Sequence, residues 1–214
     1  MSTLADYRAK IRALLDVEAP RYKDSLLDAC LSRALGRYSK AAPDVRQEDV
    51  TLAVAGRTQS LGSLLGIQMA LEVRGPVIPG AEPPALRYYF FWRSGIPTVF
   101  VGGGVEPSVG DVLRVVYAAN HSISGLDGAI ATTVRDQHAG ELAGGAAAYA
   151  VMARAASMVE TYGSKLAEPT PMFDWARAGQ EQFHTWLAEL KEEKTGVAEF
   201  LPTLCWSLDA WDRG

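Results

Sequence analysis

The sequence predicts an α+β protein: a helical bundle of about four helices, an inserted antiparallel β unit of about five strands, and an extended C-terminal tail. Three features carry this prediction. The apolar period is helical up to Pro43, becomes two from Asp49, and is helical again after Ala119. The strand-like runs follow one another without intervening helices, the pattern of an antiparallel rather than a parallel sheet. Finally, Asp136 to Tyr162 (DQHAGELAGGAAAYAVMARAASMVETY) is a proline-free, alanine-rich run long enough for a central helix. On this reading residues 1–48 and 120–196 form the helical part, 49–119 the inserted β unit and 197–214 the tail.

Leu4, Tyr7, Ile11, Leu14 and Leu15 recur at helical spacing, with Arg8, Lys10 and Arg12 between them. They predict a first helix from Thr3 to Val17, ended by Pro20. Asp24 or Ser25 caps a second helix, whose stripe is Leu27, Cys30, Leu31, Ala34 and Tyr38, and Pro43 closes it. Val50, Leu52 and Val54 then alternate as a first strand, and Ile67, Met69, Leu71 and Val73 as a second. A punctuated connection (Gly75-Pro76, Pro79-Gly80, Pro83-Pro84) leads to the aromatic run Leu86 to Trp92, LRYYFFW. Thr98 to Val101 and Asp111 to Tyr117 complete the strands.

Thr133 and Asp136 have capping-box spacing for the start of the long helix, and Gly163 marks its end. Its small residues leave the helix thin, which suits a central helix inside the chain's own bundle and also makes Ala146, Ala147, Ala150 and Ala153 candidates for close packing against a second copy or a neighbour. Gly144 and Gly145 each cost roughly 1 kcal/mol relative to alanine in a helix interior, which predicts tight contact there or a later start. Thr170 followed by Pro171 opens a fourth helix, with Phe173, Ala176, Gln180, Phe183, Leu187 and Leu190 on one face and Trp186 beside it. Glu189 to Lys194 is a solvated end, and Gly196 a stop. The tail holds Phe200, Leu201, Leu204, Trp206, Leu208 and Trp211, more apolar surface than so short a segment can bury alone. Either it folds back on its own domain, or these six dock on another subunit or partner, where tryptophans are frequent anchors.

The totals narrow the function classes. Hydrophobic residues make up 48% and charged residues 21%, which is ordinary for a globular chain. The net charge of −4, with no basic stripe, argues against general nucleic-acid binding. Cys30 and Cys205 read as free thiols of a reducing compartment. The N-terminus is amphipathic rather than signal-like, and no apolar run is read as a membrane span.

Chemistry is thinly represented. Gly102 to Gly104 are followed by Val105-Glu106-Pro107 and a strand, not by the lysine, hydroxyl residue and helix of a phosphate loop. His121, His138 and His184 fall in different elements without metal-ligand spacing, so no metal or cofactor is implied. Ser122 lies outside any GxSxG elbow, and Cys205 has no CxxC mate. If there were an enzyme site, it would lie between the β unit and the helices, around His121 and Asp127.

The order of parts is distinctive. Two helices precede a β insertion ending in VLRVVYAANHSISGLDG, and then comes ELAGGAAAYAVMARA. With Tyr117 at a strand end, His121, a loop from Ser122 to Thr133 and GAAAYA at Gly145 to Ala150, the chain resembles the head–tail connector (adaptor) proteins of tailed bacteriophages over residues 3–190. The resemblance implies a structural virion protein, assembled in the host cytoplasm and located in the neck at the head–tail interface. Its partners would be copies of itself in a ring, commonly dodecameric, the portal protein above and a neck or tail protein below. DNA would pass through the channel without specific binding. The segment that grips the portal would be Val197 to Gly214, with its six large apolar residues. A tail-completion protein with the same folded parts and another partner, a small enzyme with a site near His121, and a regulatory interaction module using the aromatic tail are the alternatives.

Overall fold

The computed structural model describes residues 2–16, 21–162 and 169–198. The docking residues expected in the tail, Phe200, Leu201, Leu204, Trp206, Leu208 and Trp211, lie outside the described residues, as does Cys205.

Helix α1 (Leu4–Leu15) starts at a reciprocal cap, in which Thr3 and Asp6 each accept from the other's backbone amide. It buries Tyr7, Ile11 and Leu15. In α2 (Asp24–Ala41) the capping position falls to Lys23, which makes no side-chain cap bond. Asp24 is drawn instead toward Arg8, 3.2 Å away, and Arg12, while Arg8 also donates to Asp28 at 2.8 Å. Neither Asp24 nor Ser25 is therefore the cap.

Six strands follow: β1 (Asp44–Thr51), β2 (Thr58–Ser60), β3 (Ile67–Arg74), β4 (Tyr88–Arg93), β5 (Ile96–Val101) and β6 (Val112–Ala119). They form two antiparallel three-stranded sheets, ordered β1-β6-β3 and β2-β5-β4. The extra strand, β2, is too short to show a period. β1 begins at Asp44 rather than Asp49, because its charged first half pairs in register with β6, from Asp44 opposite Ala119 to Thr51 opposite Val112. Arg114 of β6 holds Asp49 with two bonds of 2.8 and 2.9 Å, which accounts for one of those charges. The sheets share a core that includes Leu61, Val73, Val99, Leu113, Val115 and Tyr117. The Tyr88 hydroxyl donates to Ala70 O at 3.1 Å and ties the second sheet to the first.

The helices enclose a second core. Helix α3 (Ala139–Tyr162) is entered through one 3₁₀ turn (Asp136–His138) and packs against α1, α2 and α4 (Pro169–Ala198). The expected Thr133–Asp136 cap does not form. The capping position is Arg135, without a side-chain bond, and the Thr133 hydroxyl is engaged by the chain at His121 and Ser122. Ala176, Phe183, Leu187 and Leu190 of α4 are buried on the face expected. Gly196 lies inside α4, so it does not stop that helix. One expectation is corrected outright: the stretch Asp136–Glu160 is long and apolar enough to cross a membrane, by length and composition. It occupies the middle of the bundle, with 56% of its most apolar window buried.

Candidate interaction surface

The small residues of α3 have a definite use. At Gly145 an added Cβ would stand 2.6 Å from the Phe183 ring, and at Gly179 it would stand 3.0 Å from the Ala148 Cβ. The two glycines let α3 and α4 approach closely along one seam, where Tyr149 meets Phe183 edge to face at 6.3 Å. Gly144, by contrast, has open space where a Cβ would point. Ala146, Ala147 and Ala150 are fully buried in this chain's own core, whereas Ala153 is exposed. Of the four alanines, only Ala153 keeps surface to offer a second copy.

His121 is fastened at both ring nitrogens. The carbonyl of Ala42 can only accept, so Nε2 carries the proton and donates to it at 2.8 Å. Nδ1 then accepts from the Thr133 hydroxyl at 3.0 Å, and the His121 amide donates to Ser39 Oγ at 3.0 Å. The imidazole also rests on Tyr38, whose other neighbours are His138 at a hydroxyl-to-Nδ1 distance of 2.7 Å and the stacked Trp186. His121 thus joins the end of β6 to α2 and to the loop before α3. Asp127, the other residue of the conceivable enzyme site, accepts from the Ser32 hydroxyl at 2.5 Å. Nothing in this arrangement pairs Asp127 with His121.

Elsewhere the described residues show fastening rather than reactive chemistry. Burial pushes the Cys30 thiol up, away from the reactive thiolate. Burial, reinforced by the bond to Glu48, pushes the Tyr117 phenol up to about 12. Gly102 follows β5, and its amide donates to Arg87 O at 2.7 Å, which extends the pairing of β5 with β4 by one step and takes that amide away from any phosphate cradle. Among the described residues no three histidines, cysteines or carboxylates converge.

Exposed apolar side chains gather at several places, of which two bear on contact. One is a groove of about 650 Å³ between α1, α3 and α4, lined by Leu14, Tyr22, Val151, Met158, Met172 and Trp175 together with Arg21 and Arg154. Leu14 and Trp175 are half exposed in it. The other is the aromatic ribbon of β4 and β5, where Tyr89, Trp92, Ile96 and Phe100 are each at least 40% exposed. Tyr89 stacks on Phe91 at 5.8 Å and stands opposite Phe100 in the register. Apolar patches of this kind mark contact surfaces more often than accidents of composition. Sequence reading placed these aromatics on a strand but did not find that they stay exposed, because period two alone does not say which face is covered.

A cationic cluster also escaped the sequence reading. Arg33 and Arg37 stand one turn apart on the exposed side of α2, and both act on His184 of α4 and on Tyr149 of α3. The spacing of the two arginines was visible in the sequence. The convergence of three helices on them was not.

No protein family matches the chain, and no curated protein matches it. Among solved structures, it is similar to a chain in the neck of an empty gene transfer agent (GTA) particle computed with C6 symmetry, at 16% identity and a TM-score of 0.31, covering 84% of this chain and 87% of that one. It is similar to a chain in the neck of the native particle computed with C12 symmetry, at 18% identity and a TM-score of 0.31, covering 82% and 86%. A chain of the virion of the native gene transfer agent gives 18% identity and a TM-score of 0.32, covering 84% and 87%.

Proposed function

We propose that the chain is a structural neck protein of a phage-like particle, a head-to-tail adaptor. Copies assemble into a closed ring, dodecameric on this reading, beneath the portal, extend the DNA channel and present a surface to the next neck or tail protein. The observation that carries the reading is the order of Tyr117 at the end of β6, His121, a loop and then GAAAYA on α3, the order that resembles phage connector proteins. The three-way fastening by His121 supports it, because it fixes the loop at Ser122 to Thr133 relative to the bundle as a shaped part rather than a reaction centre.

Assembly takes the place of turnover in this mechanism. A head-to-tail contact repeated about one axis closes a ring when the rotation per copy divides the circle. The groove beside Leu14 and Trp175 and the ribbon around Tyr89 and Phe100 are two different surfaces, as such a contact needs. The helical part, residues 1–48 and 120–196, forms the ring wall, and the β unit at 49–119 is an added face. The tail residues Phe200, Leu201, Leu204, Trp206, Leu208 and Trp211 dock on the portal. A chain with a net charge of −4 neutralises few phosphates, so DNA slides through the ring rather than being held. The particle forms in the host cytoplasm.

Negative-stain imaging and native mass spectrometry of the protein, alone and with portal, test the proposal. A closed ring in either sample supports it, and monomers or dimers in both refute it.

A further inference from the structure

Tyr149 is only 2% exposed, and its hydroxyl has no hydrogen-bond partner among the described residues. A buried hydroxyl without a partner is costly, so its surroundings call for an explanation. Arg33 lies over the ring, with its guanidinium carbon 4.4 Å from the centroid. Arg37, one turn further along α2, is the charge that acts most strongly on the hydroxyl, followed by Arg33. The same two arginines act on His184, exposed on α4. Neither arginine figures in the ion pairs found among the described residues. No carboxylate figures among the charges acting on Tyr149 or His184.

We propose that Arg33, Arg37, Tyr149 and His184, drawn together from α2, α3 and α4, form a binding site for a single phosphate group. Every group in the set can donate, and among the described residues no carboxylate forms an ion pair with Arg33 or Arg37. Guanidinium forks match the oxygens of a phosphate in bidentate fashion, and the tyrosine hydroxyl adds a neutral donor from below. The Arg33 side chain is long and exposed, so it can lift from the tyrosine ring and admit an oxygen to the hydroxyl. The site fits one phosphate rather than a stretch of duplex, because the chain is acidic overall, with a pI near 5.4. That phosphate is either free in solution or one group of a nucleic-acid backbone. The second source rests on the adaptor reading, since it requires the α2–α4 face to meet passing DNA. The first does not.

Titration of the isotope-labelled protein with inorganic phosphate, followed by the NMR signals of His184 and Tyr149, tests the site. The expected result is a saturable shift of both signals that is lost in an Arg33→Ala/Arg37→Ala double variant and weakened several-fold in Arg37→Gln. Because both arginines are exposed on one helix face, these variants retain the fold, which the remaining amide signals verify. Absence of a saturable shift, or a shift unchanged in the double variant, overturns the proposal. An equal response to acetate also overturns it, in favour of a carboxylate partner. In a parallel arm, anisotropy of a labelled short duplex identifies the source: binding lost in the double variant points to the backbone, and no binding points to free phosphate. Phosphate binding is read on the chain in any assembly state, so its failure and the failure to form a ring are separate results.

Discussion

The imidazole of His121 donates to the carbonyl of Ala42 at 2.8 Å, so the second residue after β6 is tied to the residue that closes α2. That bond spans the junction between the helical core and the β core, and its loss exposes what the junction contributes.

Replacing His121 by alanine removes both ring bonds and leaves the Ala42 carbonyl and the Thr133 hydroxyl short of partners. The expected loss is about 1–3 kcal/mol of unfolding free energy. Urea denaturation measures it, and a change below a few tenths would mean that the junction does not need the histidine.

Gly145 and Gly144 are neighbours with opposite predictions. Gly145→Ala drives a methyl to within 2.6 Å of the Phe183 ring and is expected to cost about 1–3 kcal/mol of overpacking. Gly144→Ala meets nothing within 4 Å and gains up to about 1 kcal/mol of helix propensity. Thermal melting of the two variants side by side decides whether α4 is seated on α3 as described.

Ala150 and Ala153 separate core packing from assembly. Ala150→Leu is expected to lower stability by about 1–3 kcal/mol, because the site is fully buried. Ala153 is exposed, so Ala153→Leu should leave melting unchanged. If α3 meets a second copy, the same substitution reduces ring formation. Size-exclusion chromatography with light scattering provides the readout, and an intact ring would move the subunit contact elsewhere.

Partial desolvation holds the pKa of the exposed His184 below its usual 6.5, and Arg37 and then Arg33 push it the same way. The unfolded chain therefore binds this proton more readily than the folded one. The sign follows: the contribution of His184 to stability is intact above about pH 6.5 and declines as pH falls through that value. Arg37→Ala removes one of the two opposing charges and raises the pKa toward 6.5, which an NMR titration of the ring protons reads directly.

Removal of residues 197–214 is expected to leave the two cores folded, since every core residue among the described ones, up to Leu190, is retained, and to abolish binding to portal. Undiminished capture of the truncated chain in a portal pull-down would refute the docking role of Trp206 and Trp211.

How far the sequence could be read depended on the kind of signal. The stripes of α1, α2 and α4 were legible because each buries one face, so Tyr7, Leu31 and Phe183 recur at helical spacing. β3 was legible as a strand, but its alternation was not kept: bulges after Ile67 and Ala70 leave Met69 51% exposed and bury Ile67, Ala70 and Val73 instead. The start of β1 was not, because Asp44 to Asp49 carry their charges on a half-exposed sheet face where no apolar period arises. Thr133 was misread as a cap because a hydroxyl that can cap a helix can equally serve a histidine twelve residues away, and only the fold decides. The alanines of α3 signalled close packing correctly but not against what. Three of the four turn out to lie within the chain's own core. The Arg33–Tyr149 contact joins residues with no periodic relation, and no local pattern announces it.

The glycine seam has a mechanical consequence. Phe183 sits where Gly145 has no side chain, and Ala148 where Gly179 has none, so α3 and α4 interlock like teeth over one turn. Slipping one helix along the other would force the phenyl ring out of its notch, which a dense interior resists. A force along α4 therefore acts on α3 as well, because the two helices share this interlocked turn.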